Sequence, residues 1–304
     1  MLLVFCRDPL ETSGPDRAFE AEAAAVGRLG LPHVLIDHDA LVKCGDPARA
    51  VRRVPMQPEP VLVAYRGWMV TPAQFGGLYD ALAMKYIRLI NDPQQYRHAH
   101  HLPENYPVIS GHTPRSVWVS GDLGLDRIME VLSPFGDAPV IVKDYVKSRK
   151  HEWAEACFIR SAADREAVGR VVGRFLELQG DDLNGGLVFR EYVEFEPAGV
   201  HPRSGMPLTE EYRAFWLDGE PIFWAPYWAE GDYRVTRPPF DQFAGVAADV
   251  RSRFFTMDLA RRRDGGWMIV ELGDGQVSGL PRELDADHFY RALAGFWPER
   301  TAPG

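Results

Sequence analysis

Two rhythms alternate along the first third of the chain. Short apolar runs, MLLVFC and HVLI, bracket PDRAFEAEAAAVGRLG, whose apolar residues recur at helical spacing. Such a pattern predicts strand, helix, strand. Pro15 suits a first helical position and Gly30 a helix stop. A second unit follows: VLVAY as a strand, Thr71 and Pro72 as helix start before QFGGLYDALAMKY, then IRLIND as a strand. Residues 1 to about 95 thus predict a small α/β domain on a mostly parallel sheet.

The rhythm changes after residue 92. Pro93, Pro103, Pro107 and Pro114 argue against a long helix over 92–118 and predict an irregular linker or site-lining loop. GLDRIMEVLSPF predicts a helix on Leu125, Ile128, Met129 and Leu132, closed by Pro134 and Gly136. APVIVKDYVKS alternates as a strand, with HEWAEACFIR as its antiparallel partner. Ser161 with Asp164 forms an approximate capping box before a helix on Val168, Val171, Val172, Phe175 and Leu176, stopped at Gly180. GLVFREYVEFEP reads as a further strand. EEYRAFWL and PIFWAPYW flank Asp218-Gly219 as a hairpin, DQFAGVAADVRSR reads as a helix, and FFTMDLARR and WMIVELG flank a DGG turn as a second hairpin.

Composition narrows the class. The 304 residues exceed what one hydrophobic core usually serves, so two or three subdomains around a shared site are expected. Hydrophobic residues at 46% and charged ones at 25% fit a globular chain. A formal charge of −9 disfavours nonspecific binding of long nucleic acids. Cys6, Cys44 and Cys157 share no metal-ligand spacing and cannot all pair, which points to a reducing compartment, the cytoplasm. The opening apolar run is too short for a signal peptide's core, and none approaches the ~18 residues of a membrane span.

Several residues can carry chemistry. Asp258 and Glu271 lie on the two arms of the DGG hairpin, in FTMDLA and MIVELG, where register can bring two carboxylates to one face. Mg²⁺ beside a nucleotide suits such a pair, with Asp274 as a possible third ligand; solvated strand-end acids give the same pattern. Lys143 ends the apolar PVIV and can meet a phosphate, with Lys147, Ser148, Arg149 and Lys150 beside it, though such clusters are usually solvated faces. Arg213 stands mid-strand and needs a partner: Glu211, another acid or a ligand's phosphate. In REYVEFEP the backbone can bond an adenine edge while Glu191, Glu194 or Glu196 takes ribose hydroxyls. Arg66, at the end of a parallel strand, can meet a substrate carboxylate or stand solvated. His98, His100 and His101 cluster without an HExxH or Cys pattern, which favours substrate contact at His100 and His101 over metal binding.

The order of these features is more specific than any one of them. A strand lysine, a helix, a strand reading E-Y-V with a following glutamate, an arginine strand and a final D…E hairpin resemble the ATP-grasp family over about residues 138–282. EYRAFWLDGEPI followed by FFTMDLARRRDGGWMIVELGDGQ resembles its carboxylate–amine ligases. YRGWM, VKDYVKSRKHEW and ELGDGQVSGLP resemble the clade named for two arginines and one lysine.

The resemblance implies an N-terminal α/β domain (1–95), a linker and central subdomain (96–137), and small (138–196) and large (197–304) subdomains clasping ATP. It implies that Lys143 contacts ATP phosphates, with Lys147 beside it, and that Glu191-Tyr192-Val193 presents backbone groups to adenine. Glu196, or else Glu194, would hold the ribose; Arg213 would bind the transferred phosphate, and Asp258 with Glu271 would hold Mg²⁺. Where many members carry Glu-x-Asn, this chain reads Glu271-Leu272-Gly273, so Asp274 or Gln276 is left to substitute. The family's glycine-rich phosphate loop is replaced by SRKHEW. The implied activity is ATP-dependent ligation of a small-molecule or peptide carboxylate to an amine through an acyl phosphate, releasing ADP and phosphate. A phosphotransferase on the same fold and a noncatalytic nucleotide-binding module are the alternatives.

Overall fold

The computed structural model describes residues 1–298 apart from 12, 203–204, 235–236 and 282–283. The N-terminal sheet contains β1 (Leu2–Cys6), β2 (His33–Ile36), β3 (Val61–Arg66) and β4 (Ile87–Leu89), all parallel, in the order β2-β1-β3-β4. Both faces of β1 are buried, as its unbroken apolar run requires. The first helix spans only Glu20–Arg28. Pro15 lies before it, in a bridge with Arg7, and Asp16 caps an intervening 3₁₀ turn. The Pro72–Ala83 helix starts as expected, with Thr71 and Gln74 forming a full capping box.

Residues 92–118 are more ordered than their prolines predict. They fold into the helices Pro93–His100 and Leu102–Ile109, each with proline in its first turn, where a missing N–H costs nothing. The strand β5 (Ser116–Val119) follows and pairs with β8 (Leu187–Glu191), so the boundary expected at 137/138 cuts through a single sheet. That sheet is antiparallel, ordered β5-β8-β6-β7, with β6 at Val140–Asp144, β7 at Phe158–Ile159 and β8 at Leu187–Glu191. Of the partner strand expected in HEWAEACFIR, only Phe158–Ile159 pairs with β6, because Trp153–Ala156 winds into a helical turn. Helices Leu125–Leu132 and Arg165–Gln179 cover one face through Ile128, Leu132, Val168, Val172 and Phe175. Asp164, not Ser161, caps the second of these.

A small ribbon, β9 (Pro197–Val200) and β10 (Pro207–Thr209), leads into the last sheet. This sheet is antiparallel, ordered β12-β11-β13-β14, with β11 at Glu211–Leu217, β12 at Glu220–Pro226, β13 at Phe254–Arg261 and β14 at Trp267–Asp274. Both hairpins form as the alternation predicts. One face packs Trp216, Phe255 and Met257 on Phe243 and Val246. The other packs Phe215 and Phe223 on the Ala286–Phe296 helix and shares a core with Leu3, Phe5 and Leu62 of the N-terminal sheet. The N-terminal and large sheets are therefore fused, and the antiparallel small sheet faces the large one across a cleft.

Candidate functional site

The cleft is built on one rung of the last hairpin. Asp258 and Glu271 are direct partners in the β13–β14 register, which holds opposed side chains about 5 Å apart at Cβ. Arg213 of β11 is the register partner of Asp258 on its other side. Its guanidinium is bidentate on that carboxylate, at 2.9 Å from Nε and 2.7 Å from Nη2. Lys143 reaches across from β6 of the small sheet, its Nζ 2.5 Å from Glu271 Oε1. Lys143 and Asp258 are almost wholly buried. Burial works against the Glu271 charge, but Lys143 and Lys150 outweigh it and hold its carboxyl down at about 2. Burial opposes the charge on Arg213 as well, and Asp258 more than offsets it.

After β6 the chain turns around Asp144, whose Oδ1 accepts the Val146 and Lys147 N–H groups and whose Oδ2 accepts from Gln179 Nε2 at 2.8 Å. This Asx-type turn brings Lys147, Ser148, Lys150 and His151 to the same cavity, of about 340 Å³, that Asp258, Glu271, Arg213 and Tyr227 line. Lys150 lies over Tyr227 and Trp228, 5.0 and 5.2 Å from the ring centroids. Its ammonium and that of Lys147 exceed what the paired carboxylates neutralise, so the cavity favours a polyanion.

Toward the small sheet the cavity continues, past Ser148 and Lys150, into an apolar pocket of about 160 Å³. Trp153, Cys157, Met206 and Leu208 line it, with Tyr192, Val193 and Glu194 along its edge. The N–H groups of Glu191 and Tyr192 donate to the Arg115 and Pro139 carbonyls, which leaves Val193 as the member of that triplet whose amide the flanking strands do not take. Glu194 lines the pocket and Glu196 does not: the Glu196 N–H donates to Arg261 O, where the chain crosses to the large sheet. Outward, past Arg213, Tyr227 and Gly279, the cavity opens into a hollow of about 580 Å³ lined by His151, His201, Trp228, Glu230 and Leu280.

Besides Glu196, three more expected ligand residues stand elsewhere. Arg66 is 1% exposed; its guanidinium is bidentate on Glu22 and donates to the Gly275 and Ser278 carbonyls, so it is closed to a substrate carboxylate. Asp274 is fully buried, accepting from Asn91 Nδ2 and from Gln276, and does not line the cavity. Among the described residues no three His, Cys, Asp or Glu side chains converge on a metal position. His101 is buried beneath Tyr145, outside the cavity, whereas His100 lines it beside Glu271.

Other residues belong to the site without having been singled out. Lys150 had been only one member of a basic run. Glu211, 3% exposed, has its carboxyl pushed up to about 7 by burial, against the pull of Lys150. Arg190, buried next to Glu191 and bonded to the carbonyls of Ile269 and Val270, is pulled down to about 10 by burial. The signal for Glu211 was its place opening the arginine strand. Gly273 also acquires a reason: a Cβ there would lie 2.8 Å from both Thr256 Oγ1 and Ser278 Oγ, a hydroxyl pair 2.9 Å apart that fills the space an asparagine would need.

Comparison with known proteins agrees with this architecture. No curated protein matches the sequence. D-cycloserine synthetase DcsG superposes with a TM-score of 0.59 at 17% identity, over 97% of this chain and 99% of the other. The ATP-grasp ligase PsnB, in complex with minimal precursor, Mg and ADP, gives 0.53 at 12% identity, over 97% of each chain. A RimK domain ATP-grasp protein from Sphaerobacter thermophilus gives 0.56 at 12% identity, over 97% and 100%. At such identities the likeness is one of fold. The ATP-grasp domain family that is the third of the two-arginine, one-lysine clade matches residues 134–293, more than half of the 304. That match spans both arms of the cleft, from the lysine strand through the carboxylate hairpin, and the chain belongs to this third family of the two-arginine, one-lysine clade of ATP-grasp domains.

Proposed function

We propose that the chain is an ATP-dependent carboxylate–amine ligase. The observation that carries this reading is the Asp258–Glu271 rung, each acid held by a cation from a different strand, between an apolar pocket and an open hollow. Adenine takes the apolar pocket against Trp153 and Leu208, with the Val193 amide on its edge and Glu194, rather than Glu196, near the ribose. The phosphates run past Lys150 and Lys147 to Lys143 and Arg213. Family and fold neighbours support the reading: PsnB is an ATP-grasp ligase bound to Mg and ADP.

The donor set fits Mg²⁺. Asp258 and Glu271 supply hard carboxylate oxygens, and Mg²⁺ typically takes only one or two of these beside phosphate oxygens and water. When held by Asp258 and Glu271, it would supply positive charge that offsets the nucleotide's phosphates. Lys143 then exchanges its carboxylate partner for a phosphate, while Arg213 stays on Asp258 and offers its remaining N–H groups.

In the reaction, a substrate carboxylate oxygen in the open hollow attacks the γ-phosphorus, and the bond to the β–γ bridging oxygen breaks, giving ADP and an acyl phosphate. An amine then attacks the acyl carbon, phosphate leaves, and the amine loses a proton to complete the amide. Arg213 and Lys143 offset the charge on the transferred group, and the walls align the reactants. The deciding experiment is calorimetric titration of ATP with and without Mg²⁺ into wild type and Lys143→Ala. Mg²⁺-dependent binding that weakens in the variant supports the cleft and licenses a screen of acids and amines for amine-dependent ADP release. No binding by wild type in either condition removes the reading.

A further inference from the structure

Arg66 lies outside the cleft, yet it grips the segment that closes it. From the end of β3 its Nη1 donates to Gly275 O at 2.5 Å and Ser278 O at 2.8 Å, while Nε and Nη2 bind Glu22 at 3.0 and 3.2 Å. Glu22 in turn accepts from the Tyr290 hydroxyl. Phe215 and Phe289 flank the guanidinium at 5.8 and 5.4 Å. The backbone beside Arg66 adds two bonds to the same segment: Tyr65 N–H donates to Gln276 Oε1 and Gly67 N–H to Gln276 O. The segment 275–279 is thus fastened to the N-terminal sheet at Gly275, Gln276 and Ser278.

The next residue, Gly279, meets the reaction centre: its carbonyl accepts from Arg213 Nη1 at 3.2 Å. Arg213 is therefore held from two sides, by Asp258 on the sheet and by Gly279 on the fastened turn. A guanidinium fixed by both is aimed; one fixed by Asp258 alone can swing about that bidentate contact. We infer that Arg66 is a positioning residue, which holds the 275–279 turn so that Gly279 O and Asp258 together aim Arg213 at the transferred phosphoryl group. The inference rests on the nucleotide reading above. It makes the N-terminal sheet part of the ATP site through backbone carbonyls, with no substrate contact of its own.

The test separates the γ-phosphate from the rest of the nucleotide. Mg²⁺-dependent affinities for the nonhydrolysable analogue AMPPNP and for ADP are measured by calorimetry in wild type, Arg66→Lys, Arg213→Ala and the double variant. Arg66→Lys is expected to weaken AMPPNP about tenfold and to leave ADP within about twofold, because only the γ-phosphate needs Arg213. In the Arg213→Ala background the same change is expected to cost nothing further. Equal weakening of both nucleotides, or additive losses in the double variant, overturns the inference. Failure of wild type to bind either nucleotide overturns the ATP reading instead. Should Arg66→Lys not fold, Gln276→Leu, which removes the side-chain fastening to Tyr65 N–H while keeping the Arg66–Glu22 pair, is expected to show a smaller loss of the same selectivity. No selectivity in that variant overturns the inference.

Discussion

Asp258 and Glu271 oppose each other on one rung of the β13–β14 ladder, yet their charges are answered by cations from different sheets, Arg213 beside Asp258 and Lys143 from across the cleft. Two carboxylates side by side repel unless each has a counter-charge; the Arg213 pair lies within the large sheet, whereas the Lys143 pair crosses the cleft. The Lys143–Glu271 bond is thus also a latch between the small and large sheets.

Replacing either acid separates its roles. Glu271→Gln removes the carboxylate and leaves buried Lys143 unpaired; Mg²⁺-dependent ADP release is expected to fall at least ~100-fold, with the fold retained. Asp258→Asn is expected to do the same at a larger cost in stability, about 3 kcal/mol, since Asp258 is 2% exposed and its loss strands Arg213. Turnover under steady-state Mg-ATP, with circular-dichroism melts, checks both. Unchanged turnover in both variants would remove the assignment.

Restoring the asparagine common in the family should harm this protein. Gly273→Asn places a Cβ 2.8 Å from Thr256 Oγ1 and Ser278 Oγ, and these hydroxyls belong to the strand and turn that carry Asp258 and Gly279. Loss of about 1–3 kcal/mol of stability and weakened Mg-ATP binding are expected. Tighter Mg²⁺ binding would show instead that the cavity lacks only a ligand there.

The cysteines make a quiet test of the fold. Cys6 and Cys157 are buried, and burial pushes their thiols up to about 11 and about 12, against the hydrogen bond Cys6 makes with Tyr65 and the pull of Lys150 on Cys157. Cys44 is exposed. Mass spectrometry after brief N-ethylmaleimide treatment at neutral pH should find a single adduct, at Cys44. Fast labelling of Cys157 would mean that the apolar pocket is open to solvent.

Acid stability carries the signature of His100. Burial, then the charge of neighbouring His101, pulls its imidazole down from 6.5 to about 3, against the pull of Glu271. Between those values the unfolded chain binds a proton that the folded chain refuses, so this contribution is complete above pH ~6.5 and lost as pH falls toward 3. His100→Phe is therefore expected to narrow the gap between melting temperatures at pH 7 and pH 4.5. A gap as wide as in wild type would place the acid sensitivity elsewhere.

Local pattern was enough for much of this molecule. Alternation predicted both antiparallel hairpins and continuous apolar runs the parallel sheet, but the rung that opposes Asp258 and Glu271 comes from a bulge between Asp258 and Leu259 that shifts the register by one residue. These features arise within a few residues of chain, where side-chain period and turn chemistry decide. Charge could not be read so far. Arg66 and Asp274 have the residue types and strand-end positions of ligands, and the difference between a ligand and a clamp lies in Glu22 and Asn91, which are distant in sequence. Lys150 and Glu211 are legible in sequence only as a member of a basic run and as one possible partner of Arg213; their place in the site follows only where two sheets close on each other. Sequence by itself determined the parallel N-terminal sheet and the two hairpins, one of which carries Asp258 and Glu271. Tertiary structure decided which charges stay free for a ligand, because burial and partnering depend on what the fold brings against each group.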